Sequence, residues 1–205
     1  MSGKAVTGRR STTNRGDSYD GEVAGAVPTA LAQAVIAAIA ICVCELIVAP
    51  VYASMVTDAE GSAVVALVPM AAMLALLGVG FVYTVGFVLL WVADIVGTGM
   101  GHPKGEWLVY GAAGLIGFGA WGALVVPSVL NSITAPFGGS AVGGGNLAAI
   151  AINSAATGAV AFALARLFAD RLRMRRGLTV ALAVVSVAVA AFGVYVMVVL
   201  FGRLY

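Results

Sequence analysis

Charged residues in this chain fall in short clusters, and long apolar intervals separate the clusters. The 205 residues include eleven lysines and arginines and nine acidic residues, and 61% are hydrophobic. An average soluble domain is roughly 45–50% apolar and 25% charged. A soluble protein with so few charges would expose large apolar patches to water. The chain is therefore predicted to be an all-α integral membrane protein, and its small net charge gives no indication of nucleic-acid binding.

Five of the apolar intervals are long enough to cross a bilayer as α-helices. A helix rises about 1.5 Å per residue, so about 20 apolar residues cross a hydrocarbon core about 30 Å thick. The predicted spans cover residues 29–51, 67–92, 107–128, 147–166 and 178–201. We therefore predict a five-transmembrane-helix bundle over residues 27–205. The polar residues 1–26 are predicted to form a disordered cytoplasmic tail.

Charge placement predicts the topology. The second interval could form one tilted helix or two short spans broken near Gly78 and Gly80. Cytoplasmic loops are enriched in Lys and Arg, and the N-terminal tail and residues 166–176 are the two most basic segments. They share a side only if the second interval is a single span. This predicts a cytoplasmic N-terminus and an external C-terminus.

The first span could instead be a cleaved signal peptide, with Val51 and Ala53 before the cleavage point. A signal core has 7–15 apolar residues, whereas this interval has about 20 and carries Glu45. A retained span is favoured. The Ala-, Val- and Gly-rich, Lys-poor composition indicates a GC-rich prokaryotic genome, so the predicted location is a prokaryotic plasma membrane.

Glu45 is the one ionisable residue predicted to lie within the hydrocarbon region. Counting along the helices puts Asn153 and Tyr195 at a similar depth, in the external half of the bundle. We therefore predict an intramembrane polar layer of Glu45, Asn153 and Tyr195, with Ser154 and Thr157 nearby.

The sequence leaves three roles open for Glu45. No lysine, arginine or histidine falls within a predicted span core, so desolvation favours the neutral acid. The carboxyl group is a proton or cation site, a protonated hydrogen-bonding residue between helices, or the partner of a basic residue in another subunit. An intramembrane acid is by default a functional residue.

Small residues recur along the third and fourth spans. Small side chains let membrane helices approach closely, so these two spans are predicted to pack together at the centre of the bundle. A permeation path lined by small residues is the alternative. The predicted packing residues are Gly111, Gly114, Gly117, Ala120, Ala151, Ala155, Gly158 and Ala159.

Two connecting segments also have recognisable composition. Residues 127–146 are uncharged and Gly-rich, which favours a flexible external connection over a re-entrant loop. Residues 166–176 are predicted to prolong the fourth helix, with Arg166 and Asp170 spaced for an i,i+4 ion pair. Regulatory binding is the alternative role of this segment. The arginines predicted to reach lipid headgroups are Arg171, Arg173, Arg175 and Arg176.

The residue inventory argues against catalysis. The sole histidine, His102, cannot form a bis-histidine haem site or a histidine-rich metal site within one chain. Cys42 and Cys44 are two residues apart on a predicted helix, a spacing that suits neither a disulfide nor a metal pair. We therefore predict no enzyme activity, no metal and no cofactor.

The function favoured by the sequence is a non-catalytic subunit or scaffold in a larger membrane complex. Small-residue faces, an acid without an internal partner and very little extramembrane chain all fit this interpretation. The predicted partners are the lipid bilayer and either other membrane subunits or further copies of this chain. The alternative is a small oligomeric transporter or channel that uses Glu45 for proton or cation coupling.

Overall fold

The computed structural model describes residues 27–56, 60–99, 105–134 and 142–202, and these ranges are almost entirely helical. The predicted disordered tail and most of the Gly-rich connection lie outside the described residues. The α-helices are α1 (Thr29–Val56), α2 (Glu60–Phe81), α3 (Phe87–Gly99), α4 (Glu106–Thr134), α5 (Gly144–Arg173) and α6 (Arg176–Gly202).

Five helical segments are long and apolar enough to cross a membrane. They are Thr29–Ser54, Leu67–Gly99, Glu106–Ser132, Gly144–Arg173 and Arg176–Val199. This confirms the prediction of an all-helical chain with five helices of spanning length, as expected of a multi-pass membrane protein. The helices run past the predicted span ends because polar residues can continue the backbone hydrogen bonding beyond the apolar interval.

The second span is one continuous helix rather than two. α2 passes into α3 through a π-helical segment, Val82–Gly86, without a break at Gly78 or Gly80. The Thr84 hydroxyl donates to the Gly80 carbonyl, with 2.6 Å between the oxygens, so it satisfies a backbone acceptor beside the π segment. A Cβ on Gly86 would lie 3.2 Å from the Phe81 carbonyl oxygen, so a glycine suits this crowded turn.

Helices α4 and α5 form the most extensive contact, as their small residues predict, but α4 does not lie at the centre of the bundle. α1 packs against α2, α3, α5 and α6, whereas α4 packs mainly against α5 and α3. The prediction that the third and fourth spans form the centre is therefore wrong for α4. Four alanines of α1 that the sequence analysis passed over are fully buried, namely Ala32, Ala34, Ala37 and Ala38.

A tight connection joins α5 to α6 and also contacts the start of α1. The Arg175 amide donates to the Leu172 carbonyl at 2.8 Å, and the Thr179 hydroxyl donates to the same carbonyl at 2.9 Å. The Val27 amide donates to the Arg173 carbonyl at 3.2 Å. The beginning of α1 therefore lies beside the α5–α6 turn.

Candidate functional site

Glu45 on α1 is the most unusual polar group in the described part of the chain. Its side chain is 3% exposed, and neither carboxyl oxygen has a hydrogen-bond partner among the described residues. The large majority of buried polar side-chain atoms in proteins have such a partner, and each exception calls for an explanation. Glu45 is therefore the residue around which a candidate site is built.

The periodicity of α1 directs Glu45 into the bundle. Ile41, Glu45 and Tyr52 are four and seven residues apart, so they lie on one helical face, and all three are buried. The adjacent Leu46 and Ile47 lie on the opposite side and are 62% and 71% exposed. The carboxyl group thus belongs to the packed face of α1 and not to its outer surface.

Three polar residues accompany Glu45. The Asn153 amide of α5 donates to the Tyr52 hydroxyl at 2.9 Å, which links α5 to α1. Ser154 is 1% exposed and packs against Gly122 of α4. Glu45 and Tyr52 lie about two helical turns apart on the same face of α1. We call Glu45, Tyr52, Asn153 and Ser154 the polar layer.

The polar layer lacks two residues of the predicted set, Tyr195 and Thr157, and contains one residue that was not predicted, Tyr52. Tyr195 is 65% exposed on α6, so the structure does not bring it to Glu45. Tyr52, which was not predicted to belong to the layer, is 2% exposed and takes that place. Thr157 is also buried, about one helical turn beyond Asn153. Depth along a helix axis could not indicate the direction of the Tyr195 side chain.

A second polar cluster lies toward the other end of α1. The Gln33 amide donates to the Tyr110 hydroxyl at 3.2 Å, and that hydroxyl donates to the Asp94 carboxylate at 2.8 Å. Arg166 Nε donates to the Glu106 carboxylate at 2.8 Å, and the guanidinium carbon lies 6.0 Å from the Tyr110 ring centre. We call these five residues the Tyr110 network.

Sequence reasoning missed the Tyr110 network. Tyr110 is 1% exposed and Gln33 is 4% exposed, but neither was predicted to belong to a polar site. The available signal was a glutamine inside the first apolar interval. An amide there needs a polar partner from another helix, because hydrocarbon offers none.

An aromatic core separates the two polar clusters. Phe81 lies at its centre, with ring centres 5.0 Å from Phe118, 5.7 Å from Trp121 and 6.2 Å from Phe162. Gln33 and Glu45 are twelve residues apart on α1, a rise of about 18 Å. The cavity at the α5–α6 turn and the cavity between α1, α2 and α6 are both lined by residues other than Glu45. Glu45, Tyr52 and Ser154 are each at most 3% exposed, so the polar layer is enclosed.

Many of the predicted packing residues meet between α4 and α5. Gly114 and Gly158 bring the two backbones into direct contact, because a Cβ on either would collide with the carbonyl of the other. A Cβ on Gly111 would lie 3.5 Å from the Ala159 carbonyl oxygen. Ala155 packs against a further glycine of α4, Gly119.

Three predicted packing residues are placed differently. Gly117 faces Leu89 of α3 and Phe81 instead of α5. Ala120 is exposed, and Ala151 is half-buried. The small-residue pattern therefore serves two interfaces of α4, and it includes one position that faces outward.

The four arginines predicted to reach lipid headgroups fall into two groups, according to the contacts that their side chains make. Arg173 Nη1 donates to the Thr29 hydroxyl at 3.3 Å, and its Nε lies 3.4 Å from the Asp170 carboxylate. Arg173 therefore ties α5 to the start of α1. Arg171, Arg175 and Arg176 are exposed. The predicted i,i+4 pair of Arg166 with Asp170 is confirmed at 3.7 Å.

Within the described ranges, no three His, Cys, Asp or Glu side chains lie close enough together to hold a metal ion. Cys42 and Cys44 are free cysteines on α1. No protein-family model, no curated protein and no solved structure matches the chain.

Proposed function

We propose that this chain is a small membrane transport protein that binds a proton or a monovalent cation at Glu45. The observation that carries the proposal is a carboxyl group that is 3% exposed and has no hydrogen-bond partner among the described residues. An ionisable side chain inside a membrane-spanning helix costs free energy to keep away from water, so such a residue is functional by default.

The same observation weakens the two other roles of Glu45. A hydrogen-bonding residue between helices needs an acceptor or donor in reach, and neither carboxyl oxygen has one in the described chain. A residue that pairs with another subunit needs an exposed side chain, and Glu45 is on the packed face of α1. The burial therefore supports the transport function over the subunit function that the sequence favoured.

The surrounding helices suggest how an ion would pass. Access to Glu45 runs past Tyr52 and Asn153 at one end, and exit runs toward the Tyr110 network at the other. Phe81 and its aromatic neighbours block that route, so the core has to part during transport. The π segment Val82–Gly86 begins directly after Phe81, and π segments occur frequently at functional sites. It is the proposed hinge.

A membrane-complex subunit remains the second candidate, and α6 is the observation in its favour. Most α6 side chains are exposed, and Tyr195 is 65% exposed with no hydrogen bond to a described residue. A partner helix packed on this face could supply the acceptor for its hydroxyl group.

Proton flux into liposomes tests the transport proposal. The full chain is reconstituted with a pH-sensitive dye inside the vesicles, and a potassium diffusion potential drives entry. We expect flux with the native chain, and we expect Glu45→Gln to abolish it, because the amide is isosteric but cannot take up a proton. Glu22→Gln makes the same chemical change outside the spanning helices and should leave the flux unchanged. A sodium gradient with a sodium-sensitive dye is the parallel measurement for a cation.

Two results would contradict the proposal. One is an equal flux of protons or sodium ions in the native and Glu45→Gln proteins. The other is no flux above empty vesicles with either gradient. Co-purification of a different membrane polypeptide in gentle detergent, together with absent flux, would favour the subunit function.

A further inference from the structure

Two cavities on the outside of the bundle share a lining residue. The first, of about 620 Å³, lies at the α5–α6 turn, and the second, also of about 620 Å³, lies between α1, α2 and α6. Leu182 of α6 lines both cavities. We call the two cavities together the α1–α6 groove.

The turn end of the groove carries two cations without acidic partners. Arg171 and Arg175 line it, and neither forms an ion pair with an acid in the described ranges. The one acid on the rim, Asp170, is already engaged by Arg166 at 3.7 Å and Arg173 at 3.4 Å. The Arg171 guanidinium lies 5.9 Å from the Phe168 ring centre, so this cation is held at the rim.

The remainder of the groove is almost wholly apolar. Its second cavity is lined by aliphatic and aromatic residues of three helices, such as Val43, Val68, Val185 and Phe192, and by Cys42. From Leu182 to Phe192 the groove follows α6 for ten residues, which is about 15 Å. That length is about half of a hydrocarbon core of about 30 Å, the depth of one lipid leaflet.

We propose that the α1–α6 groove binds one anionic phospholipid. Arg171 and Arg175 hold the phosphate, and an acyl chain lies along α6 between α1 and α2. A cationic end that leads into an apolar channel of one leaflet's length matches a phospholipid in both charge and shape. An extended peptide would leave its backbone amides unpaired against these apolar walls, which hydrocarbon-like surroundings do not tolerate. This inference does not depend on the role proposed for Glu45.

Native mass spectrometry of the full chain in detergent tests the charge recognition. Phosphatidylglycerol or phosphatidylcholine with identical acyl chains is added, and the retained lipid is counted. We expect one phosphatidylglycerol to be retained in preference to phosphatidylcholine. Arg175→Gln should weaken its retention about fivefold, the value of one surface cation near an anionic lipid. Arg176→Gln removes the same charge from the adjacent exposed residue, which does not line the groove, and should weaken retention less than Arg175→Gln does.

A second pair of variants tests the apolar part. Leu182→Trp fills the groove where the two cavities meet and should abolish retention of phosphatidylglycerol. Val184→Trp places the same ring at a position that is 63% exposed and outside the groove, and should preserve it. Equal retention of the two lipids by the native chain would overturn the proposal. So would equal effects of Arg175→Gln and Arg176→Gln, or of the two tryptophan variants. Glu45→Gln should retain the lipid whatever its effect on ion flux.

Discussion

Individual side chains in this bundle are placed by the rotation of their helices as much as by their depth. Asn153 and Tyr195 have similar predicted depths, yet Asn153 donates to Tyr52 whereas Tyr195 is 65% exposed. Counting residues along a helix axis gives the same depth for a polar side chain buried between helices and for one that faces outward. Only the packing of neighbouring helices distinguishes them.

Gly114 provides a direct test of close packing at a single residue. In Gly114→Ala, the added Cβ would overlap the Gly158 carbonyl and come within 2.8 Å of Phe162 Cγ. Overpacking of this kind costs about 1–3 kcal/mol, and each kcal/mol lowers the unfolding midpoint of a chain this size by roughly 2–4 °C. We expect Gly114→Ala to melt earlier than the native protein in a detergent thermal-unfolding scan.

Gly80→Ala is the matched control for that variant. Gly80 also lies inside a helix, but a Cβ there would meet nothing within 4 Å. Its midpoint should stay level with the native value or rise slightly, because alanine favours helix over glycine. Equal midpoints for the two variants would show that α4 and α5 are further apart than described.

At the scale of whole elements, apolar length predicted the helices, and small-residue spacing predicted the α4–α5 pair. Two features were not predictable in the same way. The π segment Val82–Gly86 contains no proline and has no distinctive composition, so its backbone is set by packing around Phe81 and Gly86. The packed face of α1 was marked only by its buried alanines, whose spacing resembles that of many apolar helices.

An ion pair joins the start of α4 to the C-terminal part of α5. Arg166 pairs with Glu106, and the two side chains are 29% and 18% exposed. A hydrogen bond to a charged group in this setting contributes about 1.5–3 kcal/mol. We expect Glu106→Ala to lower the free energy of unfolding by that amount, measured by reversible chemical unfolding in mixed micelles.

The second acid beside Arg166 should matter much less. Asp170 pairs with the same arginine, but its side chain is 63% exposed, and exposed pairs contribute about 0–1 kcal/mol. Asp170→Ala should therefore have a smaller effect than Glu106→Ala. A loss from Asp170→Ala that equals or exceeds the loss from Glu106→Ala would contradict the described cross-helix pair.

On the scale of the whole molecule, the two proposals use separate parts of the bundle. The polar layer is enclosed among α1, α4 and α5, whereas the α1–α6 groove lies on the outer surface. Their tests can therefore fail independently. Both depend on the same arrangement in the membrane, with five crossings and with the N-terminal tail and the α5–α6 turn on one side.

Single-cysteine labelling of the full chain in intact cells tests this arrangement most directly. Cys42 and Cys44 are replaced by alanine, and Ser18→Cys, Asn146→Cys and Arg176→Cys are each introduced alone. A membrane-impermeant maleimide should label Asn146→Cys in intact cells, and should label the other two only after the membrane is permeabilised. If Ser18→Cys and Arg176→Cys react from opposite sides of the membrane, the chain does not cross it five times and the account is wrong.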